Sequence, residues 1–262
     1  MENSIGFIFQ NDGVLLLKNN ELPEALDLKS ITPHFLRRFA LGSVNNKNYF
    51  CAELDQNVLI PKIFYSLSLR NALPLLNSDD YSMAVKAYSV IRWDKNQQFC
   101  SCCGSRTVTN DQGFERSCLF CHLSFFPRIS PSIIVLIKKA DHLLMARSPT
   151  FLPGAYGLIA GFVEIGESIE EAVHREVQEE VGIKIKNLTY FGSQPWPFPD
   201  SLMIAFTADY CSGDILINPD EIEDAGWYRY DNLPGRPSTS ISIASKLIDS
   251  FIKETNMSKK TI

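Results

Sequence analysis

The sequence predicts an α/β (α+β) protein: a mixed sheet sandwiched between helices, preceded by a small α/β domain and a compact four-cysteine module. Three observations carry this prediction. Strand-length apolar runs at 132–138, 142–147, 185–192, 202–210 and 225–229 surround one sharply bounded helix between Ser168 and Gly182, and a second helix runs from about Ser242 to Lys253. Strands interleaved with helices in this way bury both faces of a sheet. Ahead of them, two closely spaced cysteine pairs mark a separate module.

Taken in chain order, Gly6 to Leu17 and Phe39 to Leu54 hold short apolar runs broken by Asn11-Asp12-Gly13 and Asn45-Asn46-Lys47-Asn48, which read as strands joined by turns. Ser82 to Trp93 places Met83, Ala84, Ala87, Val90 and Ile91 at helical spacing, with Asp79 or Asp80 available as the cap. Residues 1–95 are therefore expected to form an N-terminal α/β domain. Residues 96–127 form the cysteine module and 128–255 the third domain, after the break at Pro127-Arg128-Ile129-Ser130-Pro131, and 256–262 is a polar tail expected to fray.

Of seven cysteines, Cys100 and Cys103 are separated by two residues, as are Cys118 and Cys121, with fourteen residues between the pairs. Two such knuckles close a tetrahedral all-thiolate zinc site, and Gly104 lets the first of them turn. The same thiols could instead form disulfides, a weaker reading for a chain that starts without a basic, apolar leader. Cys102 stands beside Cys103 and could substitute for it, although only Cys103 keeps the two-residue spacing. Cys51, Cys102 and Cys211 are left over and are read as free buried thiols.

Composition narrows the class. The chain is 45% hydrophobic and 21% charged, enough to bury a full core, and no apolar run approaches the length of a membrane span. A cytoplasmic protein is expected. The net charge of -5 argues against a protein that grips nucleic acid by broad phosphate neutralisation.

The helix carries the chemistry. Ser168 and Glu171 form a capping box, Gly182 supplies the left-handed residue that ends the helix, and Ile169, Val173, Val177 and Val181 fall on one stripe. Glu176 and Glu180 border that stripe instead of facing water. Like charges one turn apart repel, and partial burial adds to the cost; a bound hard dication reverses both penalties. Residues 161–183 fit the pattern G-x5-E-x7-R-E-U-x-E-E-x-G-U at every fixed position, U being aliphatic. That pattern is the Nudix box, and the chain resembles the Nudix hydrolases, which cleave nucleoside diphosphates linked to a second moiety.

Further on, Ser193-Gln194-Pro195-Trp196-Pro197-Phe198-Pro199-Asp200-Ser201 alternates prolines with aromatics, so Trp196 and Phe198 are expected on a stiff, extended, polyproline-like loop where a flat heterocycle can stack. This run resembles the SQPWPFPxS signature of the NADH pyrophosphatases, also described as NAD-capped RNA hydrolases. The resemblance implies a Nudix sheet and hydrolysis of the pyrophosphate of NAD(H), or removal of an NAD cap from the 5′ end of RNA. It also implies catalytic Mg2+ or Mn2+ and one structural Zn2+.

Carried over residue by residue, it places the metal carboxylates on Glu176, Glu180 and Glu221, with the Ala160 carbonyl as a further ligand and Glu179 as the candidate general base. Asp220, Glu223 and Asp224 crowd the Glu221 position. Substrate contacts are implied for Arg70, Phe126, Phe162, Gln194, Pro195, Trp196, Pro197, Phe198, Pro199, Asp200, Ser201 and Ala244. Phe126 stands where the family can carry tyrosine, and its implied reach into a neighbouring active site makes a homodimer the expected assembly. Two rivals stay open: a preference for another dinucleotide such as ADP-ribose or a flavin dinucleotide, and a zinc-ribbon interaction protein built on an inactive hydrolase fold.

Overall fold

The computed structural model describes residues 4–109, 114–236 and 241–260, with side chains described to residue 257. The chain forms two compact units, Met1–Arg128 and Ile129–Ile262. In the first, β1 (Ser4–Gln10), β2 (Gly13–Leu17), β3 (Phe35–Val44), β4 (Lys47–Leu54) and β5 (Phe64–Ser68) form a sheet in the order β3-β4-β1-β2-β5. The two expected turns sit where the sequence puts them. Asn11, Asp12, Asn45 and Asn46 all adopt positive φ, the conformation a tight hairpin requires and one that Asn and Asp tolerate.

A short α1 (Leu69–Ala72) precedes α2 (Ser78–Asn96), which starts four residues earlier than the apolar spacing suggests. Its cap is Asn77, not Asp79 or Asp80: the Asn77 Oδ1 accepts from the Asp79 and Asp80 amides at 3.0 and 2.9 Å. The two aspartates occupy the first turn, where the helix dipole favours them. The cysteine module lies in this unit as a three-stranded sheet of β6 (Thr107–Thr109), β7 (Arg116–Cys118) and β8 (Ser124–Phe125). Buried Arg116 ties it to α2, donating to Thr107, Thr109 and the Asp94 carboxylate.

The second unit is a mixed sheet. Its strands β9 (Ser130–Lys139), β10 (His142–Arg147), β12 (Lys184–Trp196), β13 (Ser201–Ser212) and β14 (Asp224–Arg229) run in the order β12-β13-β9-β10-β14, and β11 (Ile159–Phe162) pairs with β9. Among these described strands only β9 and β13 pair in parallel. Period-2 alternation along β9 explains the layering. Ile133, Val135 and Ile137 pack with Val173, Val177 and Val181 of α3 (Ile169–Val181), whereas Ile134 and Leu136 pack on the other face with Leu247, Ile248 and Phe251 of α4 (Ile243–Lys260). Each fully buried valine or isoleucine contributes about 1.5–3 kcal/mol, so both helices are held by the one central strand.

Two expectations need correcting here. Residues 256–260 continue α4 and are not a separate tail. The run at 194–200 is no extended polyproline-like loop: Gln194–Trp196 complete β12, and Pro197–Asp200 make the turn into β13.

Candidate active site and metal centres

Helix α3 begins and ends as its sequence requires. The Ser168 side chain accepts from the Glu171 amide, the Glu171 carboxylate accepts from the Ser168 amide at 2.7 Å, and Gly182 closes the helix at φ 72°. Strands β9, β11 and β12 pack against it. Ala160, Gly161 and Phe162 lie on β11, which pairs with β9 through Ala160–Ile134 and Gly161–Ile133. Arg175 ties helix to strand, donating to the Phe162 carbonyl at 2.9 Å and bonding to Glu167, Glu176 and Glu179. Its guanidinium is therefore a structural clamp that sets the box carboxylates in place.

Glu176 and Glu180 are 9% and 8% exposed, unusual burial for two like charges on one helix. Burial raises the pKa of Glu176 against the pull of Arg175. Burial also pushes the Glu180 carboxyl up to about 8, with added repulsion from Glu176, Glu221 and Glu179. Among the described residues none pairs with the Glu180 carboxylate, while Glu221 beside it is exposed. A buried acid facing three other acids and no cation is the donor set that a hard dication completes. Glu176, Glu179 and Glu221 lie near enough to repel the Glu180 charge, and the Glu179 side chain is 54% exposed; among the described residues Glu176, Glu180 and Glu221 are not drawn within 4.8 Å of one another as the cysteines are.

Gly161 has a reason that its motif position alone does not state. A Cβ built there would fall inside the van der Waals envelope of the Glu176 carboxyl, so the carboxylate rests directly on the β11 backbone. Gly161→Ala is expected to displace Glu176 and cut turnover by roughly 100-fold, since a shift of about 1 Å in a reacting constellation costs that much. Steady-state kinetics beside a thermal melt checks it: an unchanged kcat would show that Glu176 need not sit there.

The signature run is held at the tip of the β12–β13 hairpin. Trp196 and Phe198 meet edge to face, ring centroids 5.4 Å apart, and both are half-buried. Ser130 donates to the Asp200 carboxylate at 3.0 Å, and the Ser132 and Ser201 hydroxyls meet at 3.3 Å. Pro195 and Pro199 are exposed and Pro197 is buried. Gln194 is buried with its amide bonded to backbone near Ala244, at the start of α4. Phe162 is 50% exposed, its ring open to a ligand. Arg70 on α1 and Phe126, the latter 63% exposed, belong to the first unit.

The four cysteines of the first unit do converge: the Sγ atoms of Cys100, Cys103, Cys118 and Cys121 all lie within 4.8 Å of one another. The two knuckles are built alike. The Gly104 amide returns to the Cys100 carbonyl at 2.9 Å and the His122 amide to the Cys118 carbonyl at 2.8 Å, with Gly104 and His122 both at positive φ. The Cys102 and Cys121 amides point at the sulfurs of Cys100 and Cys118, the arrangement that stabilises thiolates. Hydrogen bonds from Ser105 pull the Cys103 thiol down to about 6. A tetrahedral zinc ion fits this set. Of the remaining thiols only Cys51 is buried; Cys102 and Cys211 are exposed, correcting the expectation for those two.

Comparison with known proteins adds an independent line. A NUDIX domain model matches residues 127–250. The NAD-capped RNA hydrolase NudC of Pseudomonas aeruginosa (strain LESB58) is 40% identical over 250 residues, covering 94% of this chain and 85% of its own length. Its namesake from Chromobacterium violaceum is 42% identical over 238 residues, covering 91% and 88%. A crystal structure of a NUDIX hydrolase from Nitrosomonas europaea matches with a TM-score of 0.51 at 16% identity, covering 60% of this chain and 91% of that one, a likeness of fold.

Proposed function

Because the chain belongs to the NAD-capped RNA hydrolase branch of the Nudix hydrolases, we propose that its buried α3 carboxylates serve hydrolysis of a dinucleotide pyrophosphate. The substrate is NAD(H), giving nicotinamide mononucleotide and AMP, or the NAD cap of an RNA, giving nicotinamide mononucleotide and a 5′-monophosphate RNA. The observation that carries this reading is Glu180, buried without a cationic partner among the described residues beside Glu176.

The Ala160 carbonyl with Glu176, Glu180 and Glu221 would hold Mg2+ or Mn2+. Such an ion supplies neutralisation of phosphate charge and a lowered pKa for the attacking water. Glu179 takes the proton as the water oxygen bonds to phosphorus and the bridging P–O bond breaks. Arg175 keeps Glu179 and Glu176 in register, 3.0 and 2.9 Å from its Nη1. Trp196, Phe198 and Phe162 offer flat faces to the nicotinamide, and holding Trp196 at the end of β12 and Phe198 in the Pro197–Asp200 turn limits what ordering them costs. Zinc on Cys100, Cys103, Cys118 and Cys121 is structural, because four thiolates leave no open position.

Ala244 is proposed as a further substrate position of the second unit, and, on the resemblance alone, Arg70 and Phe126 as substrate positions of the first, Phe126 in a homodimer. No helix among the described residues is long and apolar enough to cross a membrane; with capped transcripts as substrate, the cytoplasm is the compartment proposed. One experiment tests the reading: product analysis with NADH, NAD-capped RNA, ADP-ribose and a flavin dinucleotide side by side, on protein whose mass in solution is measured. Nicotinamide mononucleotide from the first two substrates, released by a dimer, is expected. Faster cleavage of ADP-ribose or the flavin dinucleotide would reassign the specificity, and no cleavage of any would favour an inactive interaction protein.

A further inference from the structure

The Gln194 side chain bridges two elements separated by nearly fifty residues. Buried on β12, its Nε2 donates to the Ile241 carbonyl at 2.9 Å and its Oε1 accepts from the Ile243 amide at 2.6 Å. These two groups flank Ser242, which caps α4: its Oγ accepts from the Ser245 amide at 3.2 Å and its carbonyl from the Lys246 amide at 3.1 Å. A helix cannot satisfy its own first N–H groups. Here Ile243 finds Gln194 and Ser245 finds Ser242, and among the described residues none accepts from the Ala244 amide between them.

We propose that Gln194 is a positioning residue that registers the start of α4 against the signature strand, so that the Ala244 amide, for which no acceptor stands among the described residues, is left to receive substrate. This rests on the reading of Ala244 as a substrate position. A primary amide suits the task because it both donates and accepts, as a peptide group does, and so pairs with a carbonyl and an N–H on one stretch of backbone. The contact adds binding without touching the reacting atoms, so its loss belongs in KM.

The test compares Gln194→Leu and Gln194→Glu with the unaltered chain in NADH hydrolysis and in amide hydrogen exchange. Leucine removes both bonds, whereas glutamate keeps the acceptor for Ile243 and loses the donor to Ile241. For Gln194→Leu, KM is expected to rise roughly tenfold with kcat within about threefold, and Gln194→Glu is expected to fall between the two. Exchange at Ile243, whose amide loses its acceptor, should quicken in the leucine variant. A KM within about twofold of the unaltered chain, or a loss confined to kcat, would overturn the proposal. If the leucine variant does not fold, the glutamate variant carries the same comparison. Should the unaltered chain leave NADH intact, the hydrolase reading fails; the latch is then judged on exchange alone, with unchanged rates at Ile243 overturning it and quickened rates supporting it.

Discussion

Glu180→Gln is expected to lower metal-dependent hydrolysis of NADH by roughly two to three orders of magnitude while leaving the fold intact, the loss typical when one fixed electrostatic partner of a phosphoryl or acyl transition state is removed. The helix cap at Ser168, the Gly182 terminus and the valine stripe are untouched by the change. A second consequence separates this residue from a surface acid. In the folded, metal-free chain the Glu180 carboxyl sits at about 8, above its ordinary value of 4.5, because burial disfavours the charge. The folded state thus holds this proton more tightly than the unfolded state. Its contribution is fully present below about pH 4.5 and is lost as the pH rises through about 8. Melting curves in chelator should fall from pH 5 to pH 9, with Glu176 sharing the slope, and the glutamine variant should flatten them. Added Mg2+ should raise the melting point of the unaltered chain at pH 8 more than that of the variant. Turnover within a few-fold of the unaltered chain would remove Glu180 from the metal site.

Cys118→Ser is expected to lose the zinc and unfold the segment around it. The three strands of the module hold three, three and two residues, too few to bury a core of their own. A structural zinc site contributes on the order of 10–16 kcal/mol of apparent binding free energy, against which a strand pair of this size counts for little. Elemental analysis should find one zinc per chain before the substitution and a fraction of that after, with a lowered melting point. Full zinc content together with an unchanged melt would overturn the four-thiolate site. Cys102→Ser, by contrast, should keep its metal, because the Cys102 sulfur stands outside the set of four.

The sequence was most legible where one residue type meets one local need. Ser168, Glu171 and Gly182 mark the ends of α3, and the apolar stripe makes Glu176 and Glu180 inward-facing. The cysteine spacing likewise matches the converged sulfurs. It was least legible where the need is set by distant contacts. Nothing near Gly161 in sequence announces that the Glu176 carboxyl lies against it; the close approach exists only once β11 pairs with β9. His122 adopts the same left-handed conformation as Gly104 without glycine to signal it. The prolines of the signature suggested an extended loop because each restricts φ, yet the pairing of β12 with β13 puts half of the run in a strand and half in a turn. For Gln194 the chemistry of the side chain was plain, but not that its partners are backbone groups 47 and 49 residues away.

The parallel pairing of β9 with β13 also sets a schedule. Ile133 to Ile137 is a run of five apolar residues buried on both faces in the finished sheet, and the strand that flanks it, with Met203 opposite Ser132, lies about 70 residues downstream. On a ribosome adding about 5–20 residues per second, β9 leaves the tunnel roughly 3–14 s before β13 can reach it. During that interval the most hydrophobic strand of the domain is a nascent segment with an open edge, the kind of surface chaperones bind and neighbouring chains cross-pair with. The β10 hairpin and α3 are made first and can shelter one edge and one face. Slow codons across residues 140–210 are therefore expected to prolong the exposure and lower the yield of folded protein.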